Sequence, residues 1–282
     1  MTVAVIADSA ASLPPALAAR WGIAVVPLQV MVGDESWAEG IGIGHDDVVA
    51  RLRAGEALTT SQPTPVAFDT AISAAVADGA EGIVLLTLAG TLSGTAEAAR
   101  AAAARSLVRV EVVDTRTVAM AMGFAAIAAA QAALAGGTVE RVADAARTAA
   151  ATARCVFSVE SLDHLRRGGR IGPAVAAVGK VLGIRPVLEV VDGEVIVASR
   201  VRSLARARAA LHATVDEAVA RCSRPAVAVM GVGVDDAAVA MAREIESRHP
   251  QVAPVVIGQV SAVLAAHAGP GTLSAVVSDL PG

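Results

Sequence analysis

The residues best suited to chemistry sit in four short polar loops: Asp8-Ser9, Thr60-Ser61-Gln62-Pro63, Ser93-Gly94-Thr95 and His267-Ala268-Gly269-Pro270-Gly271. Hydroxyls and an imidazole are hydrogen-bonding groups that suit an anion. A helix pattern follows Thr95, so its N-terminus would add unpaired N–H groups and a partial positive charge. Gly94 lets the backbone come close to a ligand. His267, beside Gly269-Pro270-Gly271, can offer one ring nitrogen to an anion while the other is held. Each loop has a plainer reading. Asp8 and Ser9 can cap a helix near Pro14, Thr60 or Ser61 one near Val66, and Thr91 or Ser93 the helix after the third loop. Asp114 or Thr115 can cap a long alanine helix, and His267 can be a structural histidine bonded to backbone. His45, His164, His212 and His249 lie in contexts that need no function.

Several chemistries lack their pattern. Ser93 lies in TLSGT, not in a GxSxG elbow. A hydrolase or esterase using Ser93 with His267 is the alternative enzyme reading, and it has no evident third member. No GxGxxG follows the first strand, and Gly231-Val232-Gly233 lacks a third glycine. There is no P-loop, no HExxH and no ligand spacing for a metal, so no metal, cofactor or catalytic residue is expected. Cys155 and Cys222 form no CxxC, which fits a reducing cytoplasmic compartment.

The net charge of −4 argues against a nucleic-acid binder. Charge is nevertheless uneven. Arg166, Arg167, Arg170, Lys180, Arg185, Arg200, Arg202, Arg206 and Arg208 face only three acids in the same segment. That stretch fits either an anionic partner or a solvated surface.

These loops need a scaffold, and the pattern supplies one. Val3–Ala7 reads as a strand, Pro14–Trp21 as a helix and Ile23–Val32 as a second strand. Gly33–Gly44 reads as a loop, His45–Ala54 as a helix, Thr59–Pro65 as a loop and Val66–Ala77 as a helix. The Ile83 strand, the Ser93 loop, a helix and the Val108–Val113 strand follow. Alternating strands and helices indicate a parallel sheet. Val118–Ala135 is long enough to span a bilayer, but its alanine-rich composition reads as a helix buried inside protein, with no stable membrane insertion. The N-terminus has no signal-peptide pattern.

Beyond about residue 150 the pattern changes. Cys155–Val159 is a strand, a short helix reaches Arg167, and Pro173–Leu182 is helical. Arg185–Val191 and Glu194–Arg200 flank Asp192-Gly193, a hairpin signal. Helix Ser203–Arg221, strand Ala226–Gly231, helix Asp235–Arg248 and strand Val252–Ile257 follow. A short helix at Ala262–Ala266 and a strand at Thr272–Ser278 close the chain. The expected fold is α/β in two domains. Residues 1–150 form a parallel-sheet, Rossmann-like domain, and residues 151–282 an α+β domain with a mixed sheet.

The ordered set ADSAASLPP, TTSQPTP, LSGT, VVDT, LRRGGRIG and HAGPG spans nearly the whole chain. In this it resembles the DegV family of bacterial fatty-acid-binding proteins. The resemblance implies one long-chain fatty acid held between two α/β domains, and no chemistry by the binder itself. It implies that a separate ATP-dependent fatty acid kinase phosphorylates the bound carboxyl group. By motif match the carboxylate site falls on Thr60, Ser61, Ser93, Gly94 and His267. Kinase docking falls on Arg170 and the neighbouring basic face with Arg202. The chain departs from the common family pattern at Ala89-Gly90, at Trp37-Ala38-Glu39-Gly40 and at Ser274.

Burial energetics agree with such a ligand. A sixteen-carbon tail would bury about fourteen methylenes at roughly 0.8 kcal/mol each, on the order of 11 kcal/mol before association costs. Its carboxylate then needs partners, since an unpaired buried charge costs several kcal/mol. The Val118–Ala135 helix, with Met120, Met122 and Phe124, is a candidate for part of the apolar wall or for plain core.

Overall fold

The computed structural model describes residues 2–172, 175, 184–252 and 254–280. The helix expected at Pro173–Leu182 and Lys180 of the basic stretch lie outside the described residues, save Val175.

The first half is built on a four-stranded parallel sheet. Its strands are β1 (Val3–Asp8), β2 (Ile23–Val26), β6 (Gly82–Thr87) and β7 (Arg109–Asp114). Their spatial order is β2-β1-β6-β7. β6 is buried at every position, as expected for a central strand covered on both faces. Helices α1 (Pro15–Arg20), α3 (Pro65–Ala77), α4 (Thr95–Ala103), α5 (Ala119–Leu134) and α6 (Val139–Thr152) make the connections and covering layers.

The expected single strand Ile23–Val32 is in fact two. β2 stops at Val26, and β3 (Gln29–Val32) belongs to another sheet. Pro27 at the break has no N–H to continue a ladder. The loop expected at Gly33–Gly44 contains β4 (Glu35–Ala38), and the loop expected at Thr59–Pro65 begins inside β5 (Leu58–Ser61). These form a small antiparallel sheet, β4-β3-β5, with α2 (His45–Arg53) between β4 and β5 in the chain. Their polar composition hides them from a hydrophobic-alternation reading.

The second half is a six-stranded mixed sheet. It consists of β8 (Arg154–Ser158), β9 (Arg185–Val191), β10 (Glu194–Val201), β11 (Pro225–Gly231), β12 (Val256–Gln259) and β13 (Leu273–Asp279). The order is β10-β9-β8-β13-β11-β12, and only β11 and β12 run parallel. The Asp192-Gly193 turn joins β9 to β10, both residues at positive φ, the conformation a tight hairpin requires. Helices α7 (Asp163–Arg167), α8 (Leu204–Val219), α9 (Asp235–Arg248) and α10 (Ala262–Ala268) complete the half.

α5 is buried along residues 119–130 and is covered by the protein itself. Its alanines allow close packing, and a Cβ at Gly123 would lie 3.0 Å from the carbonyl of Ala11. Among the described residues no helix is long and apolar enough to cross a membrane. One core cluster runs through both halves, joining Val84, Met120 and Met122 to Phe157, Leu188 and Val263.

Candidate functional site

In the parallel sheet β1 lies between β2 and β6, so the winding direction reverses between β1 and β6. Ligands of open α/β sheets bind outside the strand carboxyl ends at such a switch point. Asp8 ends β1 there, and the Leu88–Gly94 loop leaves β6 there.

A cavity of about 390 Å³ opens at this place, within the ordinary range for ligand pockets. The first half contributes Leu28, Leu88, Leu92, Val118 and Ala119 to its apolar wall. The second half contributes Phe157, Leu165, Val190, Val195, Val263 and Leu264, with the thiol of Cys155. Burial pushes that thiol up to about 12, so it is a protonated, inert part of the wall. From α5 only Ala119, with Val118 just before it, lines the cavity. Met120, Met122 and Phe124 are core.

Thr60, Ser61, Ser93, Gly94 and His267 all line this cavity, joined by Gln62 and Arg170. Thr60 sits on the edge strand β5, and its Oγ1 is 2.7 Å from His267 Nε2 on α10. That contact crosses from one half of the chain to the other. Ser93 Oγ lies 2.8 Å from Thr95 Oγ1. A Cβ on Gly94 would approach Gln62 Oε1 to 2.9 Å, so this glycine lets the β5–α3 and β6–α4 loops meet. Arg170 bends back over the same end. Its Nε donates to Leu92 O at 3.2 Å, and Nη1 donates to Gly168 O. Among the described lining residues Arg170 is the only one with a permanent charge. Thr272 and Ser274 also reach the cavity, but both hydroxyls already donate to backbone carbonyls.

Capping accounts for little of this. Thr64, not Thr60 or Ser61, caps α3 by accepting from Ala67 N. The N-cap position of α4 is Gly94, with no side-chain cap, so neither Thr91 nor Ser93 performs that role. Thr91 donates instead to Gly193 O on the β9–β10 turn. α5 likewise has no side-chain cap. Asp114 accepts from Gly90 N and Arg116 N, and Thr115 donates to Thr87 O. Asp8 caps only the one-turn 3₁₀ helix Ser9–Ala11 and also accepts from Leu88 N at 2.8 Å.

Burial, reinforced by the Arg170 guanidinium, lowers the His267 imidazole to about 4, so it is neutral at pH 7. Its one hydrogen bond among the described residues goes to Thr60. No carboxylate orients it and it does not reach Ser93, whose hydroxyl pairs with Thr95. The relay that a serine hydrolase needs is therefore not assembled. Among the described residues no group of three His, Cys, Asp or Glu side chains is placed to hold a metal.

Two buried groups tilt stability with pH in opposite directions. Unfolded, His267 takes a proton near pH 6.5, and folded only near about 4. Its contribution is present above 6.5 and is lost as pH falls through that window. Burial raises Asp8 from 3.8 to about 7, so its contribution is present at low pH and is lost as pH rises. Asp8→Asn is expected to make the urea midpoint rise more steeply with pH between about 4 and 6.5 than in the parent. His267→Asn should tilt it the other way. Parallel pH profiles for the three proteins would show that neither group titrates as its burial requires.

Arg202 lies apart from the cavity, exposed between β10 and α8. Arg166, Arg167, Arg200, Arg206 and Arg208 are exposed as well. Of the described basic residues singled out in the sequence, Arg170 alone turns into the cavity.

The fold and site define a two-part α/β protein that encloses a mainly apolar cavity with one polar, cationic end. Comparison with known proteins gives the family. The family model described as "Uncharacterised protein, DegV family" matches residues 2–279. A DegV domain-containing protein of Streptomyces coelicolor is 41% identical over 276 residues, 98% of each chain. One from Mycobacterium tuberculosis is 37% identical over 279 residues, 98% of this chain and 97% of that one. This chain belongs to the DegV family. Among solved structures, a Thermus thermophilus DegV family protein described by its fatty acid binding matches with a TM-score of 0.91 at 31% identity. That match covers 99% of this chain and 100% of the other. DegV of Bacillus subtilis, described as a fatty acid binding protein, matches with a TM-score of 0.88 at 25% identity over 99% of both chains.

Proposed function

We propose that this protein binds one long-chain fatty acid between its 1–150 and 151–282 halves and does no chemistry on it. The tail lies along the apolar wall. The carboxylate is held by the hydroxyls of Thr60, Ser61 and Ser93, by the backbone at Gly94 and by His267, with Arg170 supplying the opposing charge. One observation carries this reading: a cavity walled by aliphatic side chains ends where a cross-half Thr60–His267 pair and a single arginine converge. The relatives described as fatty acid binding proteins support it.

The reading extends to a partner. The bound acid is presented to a separate ATP-dependent fatty acid kinase, which converts the carboxylate to an acyl phosphate. The exposed arginines around Arg202 form its docking face, a cationic surface for an acidic partner. Two free cysteines fit a reducing cytoplasm.

Native mass spectrometry of freshly purified protein tests the ligand: a retained long-chain acid is expected at one per chain. Protein that carries no lipid and takes up no palmitate would overturn the reading. Ser93→Ala should weaken retention about ten- to a hundredfold with the fold intact, since a hydrogen bond to a charged group is worth about 1.5–3 kcal/mol. Arg202→Ala should leave retention unchanged and lower acyl phosphate formation by the kinase.

A further inference from the structure

The cavity-facing positions of α10 and the residue two before it are Val260, Val263, Leu264, His267 and Ala268. Within the helix, Val263, Leu264, His267 and Ala268 lie at i, i+1, i+4 and i+5, which is one helical face, and Val260 leads into it. One short element therefore supplies both apolar wall and the imidazole at the polar end. Any roll or slide of α10 moves the two together.

α10 belongs to the second half but is held by the first half at both ends. At the far end His267 meets Thr60. At the near end three first-half side chains converge. His45 Nδ1 lies 2.8 Å from Val260 O, and Ser261 N donates to Ser12 Oγ at 3.0 Å. Ala262 N donates to a carboxylate oxygen of Glu39. The other oxygen of Glu39 accepts from Ser9 Oγ, and that hydroxyl in turn accepts from Leu28 N at 3.0 Å. Glu39 is a largely enclosed carboxylate with no ion-pair partner among the described residues. Both of its oxygens are instead committed to fixing segments that line the cavity, the start of α10 and Leu28.

We propose that Glu39 is a positioning residue: by gripping the start of α10 it sets the helix orientation that delivers His267 to the ligand's carboxylate. This rests on the fatty-acid reading above. Glu39 acts through α10 and does not itself line the cavity. The groups that face this system are Asp8 and His45 near Glu39 and its helix start, Arg170 beside His267, and His164 against Gly269. Burial raises the Glu39 carboxyl above its ordinary value, while the hydrogen bonds it accepts from Ser9 and Ala262 pull the other way, so these contacts favour the ionised form.

The test compares the parent chain with Glu39→Ala, Glu39→Gln and Ser12→Ala. It uses palmitate release monitored by fluorescence and His267 titration followed by imidazole NMR. Glu39→Ala should speed release about three- to tenfold and move the His267 titration upward toward the ordinary histidine range, since a loosened helix readmits water. Glu39→Gln keeps an acceptor for Ala262 N and should recover most of both effects. Ser12→Ala, which removes the neighbouring acceptor, should reproduce them weakly, and it carries the test if Glu39→Ala does not fold. Unchanged release and an unchanged His267 titration in Glu39→Ala, or in Ser12→Ala where that variant stands in, would overturn the proposal. If the parent itself takes up no palmitate, the fatty-acid reading fails instead. The imidazole titration still decides whether Glu39 positions His267.

Discussion

Arg170→Ala is expected to weaken fatty acid binding about a hundredfold or more, the largest effect of any single truncation at the polar end. Arg170 is the one permanently charged residue among the described cavity lining. Removing the partner of a buried charge costs about 3–5 kcal/mol, which is about two to three and a half orders of magnitude in affinity. The remaining donors, Thr60, Ser61, Ser93 and the neutral His267, bring hydrogen bonds but no net charge. Arg170→Lys should fall between. It keeps the cation but loses the fork that bonds Leu92 O and Gly168 O. Displacement of a fluorescent acyl probe by palmitate and by its methyl ester separates head from tail. The variant should lose affinity for the acid and keep it for the ester. Equal losses for both would show that Arg170 shapes the cavity without meeting a carboxylate.

Gly168→Ala should be nearly as damaging, through sterics alone. The backbone at Gly168 is ordinary right-handed helix, φ −70° and ψ −14°, so alanine is conformationally acceptable. Its Cβ, however, would lie 2.2 Å from His267 Nδ1 and 2.9 Å from Cε1. Real contacts never come so close, so the imidazole must leave its place against Thr60. Overpacking of this kind costs about 1–3 kcal/mol of stability, and acid retention should fall at least about tenfold with it. The double variant Gly168→Ala/His267→Ala removes the clash. It should regain the stability without regaining the retention, a coupling that a double-mutant cycle reads directly. Full binding by Gly168→Ala would mean that His267 does not act from the position it holds here.

Both effects turn on residues within Leu165–Gly172, a stretch that the sequence resemblance tied to partner docking. Arg170 looks like one of many surface arginines in a basic segment. Only the turn after α7, with Gly169 at a positive φ of 69°, carries it back over the cavity. Nothing in residue type or spacing separates it from Arg166 or Arg167. Gly168 is equally silent, because the imidazole that forbids a side chain there comes from about 100 residues further along the chain. Glu39 is similar. Its partner Ala262 lies 223 residues away, and periodicity carries no trace of such a pairing.

The central apolar run of β6, the alternation of strands and helices, the Asp192-Gly193 hairpin and the buried alanine helix were all legible in the chain, because local pattern and composition encode them. So were the hydroxyl and imidazole loops at Thr60-Ser61, Ser93-Gly94 and His267, whose polar residues stand out beside apolar strands and helices. The polar strands β4 and β5 and the break at Pro27 were not, since a small sheet with little hydrophobic alternation leaves no periodic signal. Which hydroxyls cap helices and which stay aimed at the cavity was decided by tertiary structure alone. So were the cross-half pairing of Thr60 with His267 and the inward turn of Arg170. Those outcomes depend on how two separately patterned halves close on each other, and contacts between distant segments are made in space, not in the order of residues.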